Sequence, residues 1–313
     1  MSSASTDVGP FTGRPMSELL PLMSNIAGER VDGIFYQYFG FNEPIEPHFQ
    51  HTIRNLEIRD DDIITLGFPR SGNHFAFEVV NMVQKQSTEY VKSHMIDNVL
   101  ELRKVDTYES YRQEPSPRNL TINFQVRKIP QQAVEKRTKI VYLLRNPKDA
   151  LTSFYKHWIK LQADDMGFRG TWEEFLDLSV SGQFTYGSWF DHVLCMERYM
   201  ADHPDTPVHV HLFEEMVSEP LPTVKKLCKF LGTSEELAPK IAEVTDFGYM
   251  KKNSSKDGEI GDRFLQQGAA FMRKGTKLDW KNNFTVAQNE TFNKIFEEKM
   301  AGSKLADLVR PYL

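Results

Sequence analysis

The chain is expected to fold as a single-domain three-layer α/β/α structure with a central parallel sheet, and three features of its 313 residues carry that expectation. Apolar runs rich in β-branched residues at 63–66, 138–144 and 207–213 read as strands. Amphipathic stretches with helix start and stop signals lie between and after them, so that strands alternate with helices. The first two strands run into short loops that open onto a helix, the way a parallel sheet is wound.

Taken in order, residues 1–20 are rich in Ser, Thr, Gly and Pro and read as a flexible N-terminal arm, with 21–313 as the domain. Phe35, Tyr36, Tyr38, Phe39 and Phe41 then cluster, followed by Pro44, Pro47, His48 and His51. Such aromatics form either a satellite of the core or the wall of a pocket for a flat apolar substrate. The run Ile63-Ile-Thr-Leu66, bounded by Gly67 and Pro69, reads as a covered strand. The loop after it delivers backbone N–H groups to a helix N-terminus, an anion cradle. The Gly67 to Gly72 spacing approaches the phosphate-loop pattern G-x-x-x-x-G-K-[ST]. Asn73 and His74 stand where that pattern needs its lysine and its magnesium-binding hydroxyl, which disfavours a magnesium-dependent kinase or nucleotide hydrolase. The alternatives are a phosphate or sulfate cradle with Arg70 as its cation, or an ordinary strand-loop-helix turn.

Ser87 to Pro117 is polar and irregular, contains His94, and reads as a connector or lid. Thr138–Leu144 ends at Arg145-Asn-Pro-Lys-Asp149, where Asn146 and Pro147 start a helix expected through Leu161. Arg145 thus stands at the C-terminal tip of a strand, the edge where open α/β sheets bind ligands; a capping ion pair with Asp149 is the other use for it. Thr171-Trp-Glu-Glu174 has capping-box spacing, and Phe184-Thr-Tyr-Gly-Ser-Trp189 leads into a helix through Met200. The strand at 207–213 places His209 and His211 on one face with no third ligand nearby, so a packed or solvated face is expected and no metal. Helices follow at Thr223–Leu231, ended by Gly232, and at Ser234–Val244. Phe247 to Trp280 lacks periodicity; it is either a solvated segment or a flap laying Arg273 and Lys274 over a phosphate.

Composition narrows the function classes. Lys plus Arg number 38 against 43 for Asp plus Glu, a net charge of -5, which argues against a dedicated nucleic-acid binder. The only cysteines, Cys195 and Cys228, sit in helical patterns and read as reduced thiols. The N-terminus has no leader pattern, and no apolar run approaches the ~20 residues a membrane span needs. A soluble cytoplasmic protein with no membrane partner is expected.

Four blocks together resemble the cytosolic sulfotransferase family, sulfotransferase 1 type, over about residues 40–313. They are Phe68-Pro-Arg-Ser-Gly-Asn73, Arg145-Asn-Pro-Lys-Asp149 with Ser153, Tyr186-Gly-Ser-Trp189, and Arg273-Lys-Gly-x-x-x-Asp-Trp-Lys281. The resemblance implies a P-loop NTPase-like fold that binds 3'-phosphoadenosine 5'-phosphosulfate (PAPS) and passes its sulfuryl group to a hydroxyl or amine of a small acceptor, without a metal. It further implies that Arg70, Ser71, Gly72, Asn73, His74 and Phe75 cradle the phosphosulfate, and that Phe75 stacks on the adenine. By the same resemblance Arg145, Ser153, Arg273, Lys274 and Gly275 hold the 3'-phosphate, Phe271 and Met272 also bind the nucleotide, and Tyr186, Thr245 and Phe247 close the adenine end. Lys281, Thr285, Val286 and Glu290 match a short dimer-contact motif, which implies a homodimer. Phe154 and Trp158 join the residue 35–41 aromatics as candidates for an acceptor pocket, with core as the other reading.

The departures fall at the reacting end. Arg70 replaces a lysine, keeping the charge with a bulkier planar head. Anchored by Pro117-Arg118 and Pro130-Gln131, an ungapped match puts Asn123 at the catalytic histidine's position and Thr121 at a second lysine's. An amide cannot accept the acceptor's proton, a task worth ~10²- to 10⁴-fold in rate. Three consequences are open. His94 or His74 serves as base; the acceptor arrives ionised or as an amine; or the chain is a catalytically impaired nucleotide-binding protein in which Asn123 at most orients a ligand.

Overall fold

The computed structural model describes residues 8–38, 44–92, 95–102, 112–161, 167–246, 248–250 and 277–313. A short antiparallel hairpin, β1 (Gly28–Val31) and β2 (Ile34–Gln37), precedes the sheet. The sheet has four parallel strands: β3 (Ile63–Gly67), β4 (Asn119–Ile122), β5 (Lys139–Leu144) and β6 (Val208–Leu212), in the order β4-β3-β5-β6. The helices around it include α1 (Met16–Leu19), α2 (Ile45–His48), α3 (Asn73–Lys85), α4 (Gln131–Glu135), α5 (Pro147–Trp158) and α6 (Trp172–Val180). They continue with α7 (Trp189–Asp202), α8 (Phe213–Ser218), α9 (Pro220–Leu231), α10 (Ala238–Val244), α11 (Val286–Lys299) and α12 (Lys304–Val309).

Side chains alternate across a strand, so each strand feeds two cores. Ile63, Val141 and Leu143 pack with Val79 and Val80 of α3, Leu227 of α9 and Ile241 of α10. Ile64, Leu66, Ile140, Tyr142 and Leu144 face the other layer, formed by α5, α6, α7, α11 and α12. The expected three-layer architecture is therefore the observed one. Both faces of β3 and β5 are covered, which is why their sequences are continuously apolar rather than alternating.

Several expectations change. Residues 8–20 are not a loose arm: the Asp177 carboxylate of α6 accepts hydrogen bonds from Phe11 N and Thr12 N, and Met16 and Leu19 are buried. Phe154 and Trp158 are core rather than pocket wall, packed edge-on against Phe184 and 4% and 1% exposed. β4 is not legible as a strand in the sequence because Asn119 and Thr121, with Asn123 just beyond its end, interrupt its apolar pattern. Those polar residues are nevertheless buried, and Asn119 Oδ1 accepts from Thr65 Oγ1 at 2.7 Å. The helix starting at Asn146 stops at Trp158 instead of Leu161. α9 begins at Pro220, whose missing N–H suits a first turn, and α10 begins only at Ala238.

The connector at 87–117 is docked where it is described. Val99 bridges Thr121 in parallel, extending the sheet edge beyond β4. Val99 and Leu100 have no exposed surface. Carrying that register two residues on places Glu101 beside Asn123.

Candidate active site

The cradle begins where β3 ends. Arg70 has φ 68 and Gly72 φ 98, two left-handed residues that reverse the chain and aim the loop at the start of α3. Gly72 is the N-cap, and no side chain caps the helix, so its first N–H groups are presented to the loop. A thirteen-residue helix with that end uncapped favours an anion there. Ser71 Oγ and Asn73 Oδ1 are buried at the loop without a hydrogen-bond partner among the described residues.

Arg145 closes the cradle from the tip of β5. Its guanidinium donates to the Arg70 carbonyl at 2.8 Å and lies 4.0 Å from the Phe213 ring centroid. Arg70 in turn donates from Nε to Ser153 Oγ at 3.1 Å. Arg70, Arg145 and Ser153, three of the sequence candidates, are therefore neighbours. Behind them, Asn146 caps α5 by accepting from Lys148 N, and its own N–H donates to Glu214. Burial pushes the Glu214 carboxyl up to about 6, against that bond and the nearby Arg145 charge.

Asp149 does not serve as Arg145's hydrogen-bonded cap. Its carboxylate accepts Leu278 N at 2.7 Å and Trp280 N at 2.9 Å, which fastens the Asp279-Trp-Lys281 turn to α5. Lys148, without exposed surface, places its ammonium 4.3 Å from the Trp280 ring centroid, and burial lowers its pKa to about 8. The second and fourth sequence blocks thus meet in space. The third joins them through Trp189 Nε1, which donates to the Arg145 carbonyl at 3.1 Å.

At the opposite end of the loop, Asn73 Nδ2 donates to Asn123 Oδ1. Asn123 donates from both its backbone N and its Nδ2 to Glu101 Oε1, each at 2.8 Å. Burial raises the Glu101 carboxyl to about 7, opposed by the hydrogen bonds from its own backbone and from Asn123 and by the nearby Tyr186 hydroxyl. Sequence reasoning misses Glu101, since it lies in a stretch with no periodicity; only the strand register finds it.

Tyr186 belongs to this end. It stands at φ 66, packs edge-on against Tyr36 with centroids 5.6 Å apart, and faces Glu101. Thr245 is in the other layer, at the end of α10, where its hydroxyl donates to Ile241 O. Phe75 packs against the core of that layer, whereas Tyr186 belongs to the core on the opposite face of the sheet. His74 is half-buried in the first turn of α3. His94, Phe247, Phe271, Met272, Arg273, Lys274 and Gly275 lie outside the described residues.

Comparison with known proteins gives this geometry its family. Residues 60–304 match the model of the sulfotransferase domain. The chain is 30% identical to rat sulfotransferase 2A2 over 279 residues, 87% of this chain and 94% of that one. It is 32% identical to dog sulfotransferase 1B1 over 277 residues, 84% and 92% of the two chains. Among solved structures, mouse sulfotransferase SULT7A1 complexed with PAP superposes with a TM-score of 0.73 at 28% identity, covering 91% of this chain and 99% of that one. Retinol dehydratase, at 16% identity and a TM-score of 0.71, shares the fold. The chain belongs to the sulfotransferase family.

Proposed function

We propose that this sulfotransferase moves a sulfuryl group from PAPS to a hydroxyl or amine of a small acceptor, apolar or aromatic in character, and releases 3'-phosphoadenosine 5'-phosphate (PAP). The observation that carries the reading is the cradle itself: an uncapped helix N-terminus, an orphaned Ser71 hydroxyl, and Arg70 and Arg145 locked to one another beside it. Two guanidinium groups and converging N–H donors suit a doubly anionic ligand. PAP bound to the mouse relative fits the same assignment. Arg145 and Ser153 would take the 3'-phosphate, and Ser71, Asn73 and the α3 N-terminus the phosphosulfate. Sulfuryl transfer needs an in-line nucleophile, stabilised charge on the leaving oxygen and a destination for the nucleophile's proton.

The acceptor would lie near Tyr36, Phe124 and Tyr186, whose rings pack together. A cytoplasmic homodimer belongs to the same proposal. No helix among the described residues is long and apolar enough to cross a membrane. In the short dimer-contact motif Lys281, Thr285 and Glu290 are exposed, and Val286 is 76% exposed. The test is transfer of radiolabelled sulfate from PAPS across a panel of phenols, alcohols and amines. Product above the rate of donor hydrolysis is expected; its absence with every acceptor, while PAP still binds, would leave a nucleotide-binding protein.

A further inference from the structure

We infer that Glu101 accepts the acceptor's proton, in place of the histidine whose position Asn123 occupies; the inference rests on the sulfuryl-transfer reading above. The geometry comes from the sheet edge. The parallel bridge between Val99 and Thr121 sets residue 101 alongside residue 123, and the Asn123 backbone N–H continues that pairing onto the Glu101 side chain. The Asn123 amide is thereby fixed, its Nδ2 on Glu101 and its Oδ1 on Asn73 at the cradle. One short path of side chains thus joins the anion loop to a carboxyl.

That carboxyl has a free acceptor. Both Asn123 bonds land on Oε1, while Oε2 is buried and takes no short hydrogen bond from the described side chains. The Tyr186 hydroxyl is close enough to favour the charged carboxylate. Tyr36, 2% exposed, buries a hydroxyl with no hydrogen-bond partner among the described residues, and it feels the charge of Glu101. A buried orphan hydroxyl beside an under-used carboxylate oxygen is what a polar acceptor group would complete.

Among the described residues, the titratable groups packed around Glu101 leave it as the base. Tyr36 and Tyr186 are both held protonated, chiefly by burial. His192 of α7 packs behind Asn123 toward the Asn123 and Phe124 backbone, and burial lowers it to about 4. His48 of α2 contacts the Leu100 carbonyl at 3.3 Å, and Arg127 acts on Tyr36. The Glu101 carboxyl, brought to about 7 by burial, is matched to proton transfer at neutral pH. In the step, an acceptor oxygen lone pair forms the new bond to sulfur. The sulfur–oxygen bond to the 5'-phosphate breaks with its electron pair on the phosphate oxygen, and the acceptor's O–H proton passes to Glu101.

The test compares wild type with Glu101→Gln, using PAPS and 2-naphthol, a phenol that ionises well above neutrality. Gln keeps an oxygen to accept from the Asn123 N–H, so a merely structural role for Glu101 would be preserved. The expected result is a ~10²- to 10⁴-fold loss in kcat/KM. The rise of kcat/KM with pH up to about 7 should vanish with it, while PAP affinity by calorimetry stays unchanged. Adding Asn123→His to Glu101→Gln should restore much of the rate by supplying a base at the neighbouring position. Wild-type rate and an unaltered pH profile in Glu101→Gln would overturn the inference and leave the transfer reading intact. PAP binding by the wild type without transfer to any acceptor, or absence of PAP binding, would remove the transfer reading itself and the inference with it.

Discussion

Replacing Gly72 by alanine should damage the fold and the cradle together, through two separable effects. Gly72 sits at φ 98, where an L side chain is strained by about 1–2 kcal/mol. Its added Cβ would lie 2.6 Å from Phe213 Cδ2 and 3.3 Å from Met216 Cε, an overpacking worth about 1–3 kcal/mol. The two together amount to about 2–5 kcal/mol of lost stability, readable as a shift in the urea midpoint at unchanged slope. The clash has a second consequence, because the Phe213 ring underlies the Arg145 guanidinium. Pushing that ring aside displaces Arg145 from the cradle, and PAP affinity should fall about tenfold or more, the value of one charge-assisted hydrogen bond. Gly232→Ala is the control. Gly232 also has positive φ, at 78, but a Cβ added there would meet nothing within 4 Å, so this variant should show the strain cost and no change in PAP affinity. If Gly72→Ala unfolds within about 0.5 kcal/mol of wild type and binds PAP equally well, the interlocked cradle is wrong.

Two further expectations concern the groups around the cradle. Asp149→Ala removes a carboxylate that accepts two backbone N–H groups, so a loss of about 3–6 kcal/mol is expected from chemical denaturation, together with weaker PAP binding. Glu101→Gln should alter the pH dependence of stability. The Glu101 pKa is raised in the folded chain, so its contribution is complete below the unfolded value near 4.5 and is lost as pH rises through about 7. That loss is on the order of 3 kcal/mol, so the Gln variant should gain on wild type by that order between pH 4.5 and 7; parallel curves would refute the buried-carboxyl assignment.

The parts of this architecture that are legible in the sequence are those fixed by local chemistry. Ile63 to Gly67 announces a covered strand because both of its faces are apolar, and Thr171 with Glu174 announces a helix because the capping box is contained in four residues. Arg145 can be placed at a strand tip for the same reason. What cannot be read depends on contacts distant in sequence. Asn119 to Ile122 looks like loop until Thr65 donates to Asn119 Oδ1 across 54 positions. Asn123 alone reads as a bare loss of the catalytic base, since the carboxyl that accepts its two hydrogen bonds stands 22 residues earlier in a stretch without pattern. The motif around Tyr186 points to the adenine end, whereas its hydroxyl faces Glu101. In each case the backbone register, rather than residue type, decides which side chains meet.

On the proposed function, the loop from Arg70 to Phe75 together with Arg145 is a metal-free site for a phosphorylated adenosine nucleotide. Calorimetric titration of the intact chain with PAP in the presence of a chelator tests it most directly. One site per chain is expected, with an affinity that falls about tenfold or more on Arg145→Lys, because lysine cannot both stack on Phe213 and hold the Arg70 carbonyl. No heat of binding, or binding indifferent to residue 145, would contradict the account.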